Sequence, residues 1–122
     1  MRSATSRLAA ACAAAALSIG VFAGSAVGAT TKLSLGTVGA CCKFTKTKLT
    51  AKVGTVSITL NNTAGVPHNV AIKGGGVNKK GKVVTKGKST VTANIKKKGK
   101  YTFYCSVPGH EAAGMKGTLT VK

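Results

Sequence analysis

The stretch YCSVPGHEAAGM, residues 104–115, spaces Cys105, His110 and Met115 at equal five-residue steps. A thiol, an imidazole and a thioether gathered in one loop are donors for a soft or borderline metal ion. Val107-Pro108-Gly109-His110 places Pro and Gly at the two central positions favoured by a type II turn, which folds His110 back toward Cys105. A second short excursion through Ala112, Ala113 and Gly114 returns Met115 to the same point. A fourth donor stands in NNTAGVPHNV: His68, set beside Pro67 in an extended stretch and followed by the apolar Val70 to Ile72. His68 and His110 are the only histidines of the chain.

Taken singly, each residue has a plainer role. A lone cysteine on the same side of a strand as Phe103 is normally a buried structural residue, and a lone histidine beside a turn is normally a polar loop residue. The combination argues for ligands. Two imidazoles, one thiolate and one weak thioether suit copper cycling between Cu(I) and Cu(II), because soft sulfur favours the reduced ion while imidazole tolerates both. Structural zinc uses closely spaced cysteine pairs or two Cys with two His, and covalent haem attachment uses C-x-x-C-H; the sequence has neither pattern. One copper ion is therefore the expected cofactor, and with all four positions around it filled, a carrier is expected rather than an enzyme. Glu111 is the only acidic side chain, which excludes paired-carboxylate catalysis and a Ser-His-Asp triad. A Cys-His nucleophile would explain neither His68 nor Met115.

Short strands must position these donors. Turn signals recur at Gly36 and Gly39, Gly54, Asn61 to Gly65, Gly74 to Gly76, Gly81, Gly87, Gly99, Pro108 with Gly109, and Gly114. The segments between them are rich in Val, Thr, Ile and Leu, the pattern of an all-β sandwich or barrel. Val56, Ile58 and Leu60 alternate with Ser57, Thr59 and Asn61, and Val91, Ala93 and Ile95 alternate with Thr92 and Asn94, so each segment buries one face. Tyr101, Phe103 and Cys105 share one side of the segment that ends at the metal loop. Lysine clusters at 79–82 and 96–100 are expected as basic hairpin turns, and long lysines at edges deter edge pairing. Gly74 to Gly76 lacks the context of a phosphate loop and is expected as a flexible turn.

The first 29 residues differ from the rest. Arg2 and Arg7 precede an Ala-rich apolar run, and Val27 and Ala29 fit the small-residue rule for cleavage after Ala29. Residues 1–29 are thus expected to be a signal peptide and 30–122 a single domain, exported to the periplasm, cell envelope or exterior. An uncleaved anchor is the competing reading, since about 20 apolar residues cross a bilayer. There is no twin arginine, and Cys12 lacks a lipoprotein context, so general secretion is the expected route. The 19 Lys and Arg residues less Arg2 and Arg7 leave 17 lysines against Glu111, a balance of +16. Such a charge favours acidic proteins, anionic envelope polymers or lipid headgroups. Nucleic acid is not expected, because the exported part has no arginine and only Phe44, Tyr101, Phe103 and Tyr104 to stack bases.

From KLTAKVG through VPHNV to YTFYCSVPGHEAAGMKGTLTV, the sequence resembles the small blue copper proteins, or cupredoxins, in their plastocyanin-like branch. The resemblance implies a Greek-key β-sandwich with copper at one end, bound by His68, Cys105, His110 and the long axial ligand Met115. It also implies that Asn69 and Ser106 hydrogen-bond between the ligand loops. His110 would emerge through an apolar surface, supplied by Val107, Pro108, Ala112 and Ala113, and pass single electrons to docked redox partners. Photosynthetic members of the family commonly carry acidic patches; the reversed charge of this chain implies a partner with an acidic docking surface or retention at an anionic envelope.

Two other functions use the same residues differently. One is a copper-binding protein for delivery or sequestration without a redox partner, and the other is a basic β-sandwich interaction module in which the cysteine and histidines are incidental. In the delivery or sequestration scheme Cys41 and Cys42 could take part in binding; otherwise their role is open. A bond between neighbouring cysteines, whose Cα atoms lie about 3.8 Å apart, would be strained; free thiols, an intermolecular bridge and an auxiliary copper-binding pair are open beside a structural or redox-linked vicinal pair.

Overall fold

The alternation of branched apolar and hydroxyl side chains produces the longest strands of the molecule. In the computed structural model, which describes residues 29–122, eight strands are formed: β1 Thr30–Gly36, β2 Lys48–Ala51, β3 Gly54–Asn62, β4 Ala71–Gly74, β5 Val77–Lys80, β6 Gly87–Ile95, β7 Gly99–Tyr104 and β8 Lys116–Val121. The expected leader lies, except for Ala29, outside the described residues. Among the described residues no helix is long and apolar enough to cross a membrane.

The strands form a Greek-key sandwich of two sheets, ordered β1-β3-β6 and β2-β8-β7-β4-β5. β3 and β6 are antiparallel neighbours, with Ile58 opposite Val91 and Val56 opposite Ala93. All four side chains are buried, as the period-two pattern requires. β1 joins β3 in parallel and β2 joins β8 in parallel; these two pairings are non-local and carry no local sequence signal. Leu60, Ile72, Ile95, Phe103 and Leu119 complete the layer between the sheets. Phe44, from the loop after β1, packs against Phe103 with ring centroids 5.6 Å apart. Gly117 on β8 is required here, because the Phe103 ring and the Thr47 carbonyl occupy the space a Cβ would need.

The first lysine cluster differs from expectation. Lys79 and Lys80 belong to β5, an edge strand of the five-stranded sheet, and both are exposed. The tight turn is one step earlier, at Gly75 and Gly76, where both φ angles are positive (53° and 83°), the geometry of a two-residue hairpin whose strand twist suits the sheet. The second cluster also differs from expectation: it lies where the chain passes from β6 to β7, which belong to different sheets, so it crosses between the layers and closes no hairpin, and Lys100 is already in β7.

Topology gathers the chemistry at one end. β7 runs antiparallel to both β4 and β8, pairing Tyr104 with Ala71 and with Lys116. The residues just beyond those pairs are His68 to Val70 before β4, Cys105 after β7 and Met115 before β8, so three segments distant in sequence leave the sheet side by side.

Candidate metal centre

Cys105 continues β7 by one residue, and its buried side chain keeps the inward direction of Phe103. Its N–H donates to the Met115 carbonyl (3.0 Å), which closes the loop between them at its base. Within the loop, His110 N–H donates to the Val107 carbonyl (3.0 Å), and Gly109 has φ 84°. Those are the hydrogen bond and the positive φ that a type II turn places after Pro108. Ala113 N–H then bonds to the Gly109 carbonyl (3.1 Å) and Met115 N–H to the His110 carbonyl (3.0 Å). The second excursion is thus one tight coil that ends with Met115 fully buried.

His68 reaches the same point from β4. Its N–H and carbonyl both pair with Val84 (3.0 and 2.9 Å), and the ring is 1% exposed. His68 Nδ1 lies 3.1 Å from His110 Nδ1. Cys105 Sγ is 3.5 Å from His110 Nδ1 and 3.9 Å from His68 Nδ1. Two ring nitrogens and one sulfur therefore face a common centre, all within 4.8 Å of one another. Burial pushes the His68 imidazole below its ordinary value; a hydrogen bond with the Ala40 backbone opposes this, and the nearness of His110 adds to it. A neutral imidazole is the form that ligates a metal.

The supporting bonds are complete. Asn69 Nδ2 donates to Ser106 Oγ (2.7 Å) and to the Gly81 carbonyl (2.9 Å), while Ser106 N–H donates to Asn69 Oδ1 (2.7 Å). The expected link between the ligand loops is present, and it holds the residue after each ligand in place. Glu111 pairs with Lys73, at 2.8 Å from Oε1, and the Lys73 ammonium also sits 4.4 Å above the Tyr104 ring. The only carboxylate side chain of the sequence is thus engaged by a lysine rather than by His110. His110 is half-buried, with Val107 half-buried beside it and Pro108, Ala112 and Ala113 exposed around it.

Sequence reasoning passes over one feature of this end and leaves another open. Asn62, fully buried, donates to the carbonyls of Val66 and Val84 (2.8 Å each), and its Oδ1 accepts from Ala64 N–H (3.0 Å). It ties down the loop that carries His68, yet in sequence it is one more polar residue in a turn. The other is Cys41–Cys42. The structure joins them as a vicinal disulfide, and their sulfurs lie within 4.8 Å of a His110 ring nitrogen. No spacing rule could bring residues 41 and 42 to residue 110.

A Greek-key sandwich with two histidines, a cysteine and a buried methionine between the loops of one end defines a cupredoxin. Residues 31–122 match "Copper binding proteins, plastocyanin/azurin family", and the chain belongs to that family. Similar solved structures include dithionite-reduced auracyanin from the photosynthetic bacterium Roseiflexus castenholzii, at 26% identity and TM-score 0.62, covering 78% of this chain and 99% of that one. Auracyanin A, a blue copper protein of the green thermophilic photosynthetic bacterium Chloroflexus aurantiacus, has 25% identity and TM-score 0.65, covering 77% of this chain and 100% of that one. Amicyanin from Paracoccus versutus shares the fold at 24% identity and TM-score 0.54, covering 75% and 81%. No curated protein matches the sequence. The donor chemistry fits the family's metal: His68, Cys105, His110 and Met115 are arranged for one copper ion.

Proposed function

We propose that this protein is an exported blue copper protein that carries single electrons between partner proteins. The observation that carries the reading is the convergence of His68 Nδ1, His110 Nδ1 and Cys105 Sγ on one buried point. In this reading His68 and His110 would supply two nitrogens, Cys105 the thiolate and Met115 the thioether that hold one copper ion. A bound copper ion supplies the one-electron chemistry by alternating between Cu(I) and Cu(II).

The chain's own residues do the rest. Cys105, His68 and Met115 are shielded from water, so no position is open to a substrate, which favours a carrier over an enzyme. The paired bonds between Asn69 and Ser106 fix the loops, so the donors need little rearrangement when the charge of the site changes. His110, half-buried among small apolar residues, is the exit to a docked partner. Lysines dominate the charged surface, and the Lys73 pair with Glu111 removes its one opposing side chain, so a partner with an acidic docking face is the one that long-range attraction would select.

Residues 1–29 serve as the export signal in this reading, with 30–122 as the mature domain in the periplasm, envelope or exterior. Mass determination on the exported protein tests this, with Thr30 as the expected first residue.

The function itself is tested by adding Cu(II) to the purified protein and recording visible and electron-paramagnetic spectra, with Cys105→Ser in parallel. An intense thiolate-to-copper band and narrow copper hyperfine splitting, both absent in the variant, are expected. A pale spectrum of tetragonal copper, unchanged in the variant, would reject the ligand set and leave a basic interaction module as the better reading. Reversible one-electron voltammetry with slow copper loss separates the carrier from a delivery or sequestration protein, whose metal would exchange quickly.

A further inference from the structure

Cys41 and Cys42 occupy the loop between β1 and β2 that passes over the copper end. Cys41 is exposed and Cys42 half-buried. The loop is closed by Val38 N–H to the Lys43 carbonyl (3.0 Å) and Thr45 N–H to the Gly36 carbonyl (2.9 Å), and it is anchored by Phe44 in the core. The Cys42 carbonyl faces Gly114, one residue before Met115. These contacts, none of which involves the disulfide, hold the backbone of the loop that carries the two cysteines beside the copper end.

Cys42 has φ 91°, and it is the only described non-glycine residue with positive φ. A side chain in that region is strained and persists where the surroundings impose it, most often at functional sites. In the disulfide state the two sulfurs are poor donors. As a dithiol they would form, with His110, a soft set of two sulfurs and one nitrogen at the surface.

We propose that Cys41, Cys42 and His110 form a redox-gated Cu(I) entry site, which captures the ion when the disulfide is reduced and hands it inward across His110. An external dithiol opens the gate. It gives two electrons and two protons to the Cys41–Cys42 bond, so that two thiols form and the donor becomes a disulfide. The two thiols then release their protons to water as they take up Cu(I). In the handover the oxidation state of copper does not change: Cys105 releases its proton on binding the ion, His68 and Met115 join it, and Cys41 and Cys42 regain protons from water. His110 faces both donor sets, so the ion moves by ligand exchange over a few ångströms. Capture stands on the surface cluster alone; the handover rests on the blue copper reading.

The test uses the whole purified protein in two states, as isolated and after reduction with dithiothreitol and anaerobic desalting. Cu(I) is offered as its bathocuproine disulfonate complex. With Cys105→Ser, which disables the inner site, the reduced protein is expected to withdraw Cu(I) from the chelator at least tenfold more strongly than the oxidised protein. X-ray absorption is expected to find two sulfur neighbours for each copper. The doubly substituted Cys41→Ser, Cys42→Ser protein, reduced in the same way, is expected to lose this uptake. Equal partition in both redox states, or preference for Zn(II) over Cu(I), would overturn the proposal; because both states share the Cys105→Ser sequence, that comparison does not depend on the doubly substituted protein folding.

Loading of the unsubstituted protein, read as the blue band after oxidation by ferricyanide, is expected to be at least tenfold faster from the reduced state. Equal loading rates with a normal blue band would overturn the entry site and leave the electron carrier standing. Reduction-dependent capture in Cys105→Ser, with no blue band from the unsubstituted protein, would reject the carrier and its handover while upholding the capture site.

Discussion

Asn69 and Ser106 exchange two hydrogen bonds of 2.7 Å, one from Asn69 Nδ2 to Ser106 Oγ and one from the Ser106 backbone N–H to Asn69 Oδ1. Each is the immediate neighbour of a proposed ligand, so this pair is the mechanical link between His68 and Cys105. Asn69→Ala removes both bonds and the one to the Gly81 carbonyl, and strands their partners in a largely buried setting. The expected loss is about 1–3 kcal/mol, or a fall of about 4–8 °C in Tm for each kcal/mol in a domain of this size. Copper affinity is expected to fall about 10–100-fold. Calorimetry with and without copper reads both; unchanged affinity would mean that the bonds serve only the fold.

Gly117→Ala tests the packing behind the thiol. The added methyl group competes with the Phe103 ring and the Thr47 carbonyl, and forcing Phe103 aside is expected to cost about 1–3 kcal/mol. Because Cys105 lies two residues beyond Phe103 on the same side of the chain, the visible band of the copper-loaded protein is expected to move as well. A urea midpoint equal to that of the unsubstituted protein would show that the ring gives way freely.

Stability of the metal-free protein is expected to fall with acid through His68. Its folded value lies below the ordinary 6.5 because the ring is buried. Between the two values the unfolded chain binds more protons than the folded one, so stability rises with pH in that window. This contribution is fully present above about pH 6.5 and is lost as pH falls toward and through the folded value. Urea titrations of the metal-free protein between neutral and acid pH check the slope, and His68→Gln is expected to flatten it.

Glu111→Gln breaks the ion pair with Lys73. Their side chains are 32% and 43% exposed, so the change in stability is expected to stay below about 1 kcal/mol. The effect on encounter is the larger one. Loss of the one carboxylate side chain beside His110 is expected to speed reduction by an acidic one-electron carrier at low salt, and the gain is expected to vanish near 1 M salt, where the Debye length is about 3 Å. Stopped-flow rates over an ionic-strength series decide this, and an identical series for both proteins would place docking away from His110.

Much of the site was legible because its chemistry is local. Cys105, His110 and Met115 lie within one loop whose Pro-Gly turn and small residues dictate how it folds back, and the strands before and after it announce themselves by alternation. His68, 37 residues before Cys105, was legible only because the chain has a single other histidine. What joins them is the antiparallel placement of β7 between β4 and β8, a tertiary fact that no window of sequence contains. The assignment of Lys79 and Lys80 to an edge strand rather than a turn arose in the same way, since the Gly75-Gly76 hairpin, not the lysines, set the reversal.

The sequence by itself determined the donor types, the single acidic side chain, the excess of lysine and the all-β character, because these follow from composition and from periods of two residues. Tertiary structure alone decided which distant groups meet. Asn62 became the anchor of the His68 loop, and Cys41–Cys42 came to rest against His110. Each depends on loops that converge at one end of the sandwich, and that convergence is set by strand order and by the parallel β1–β3 and β2–β8 pairings. Those pairings are stabilised by the buried layer as a whole and leave no mark on the residues between.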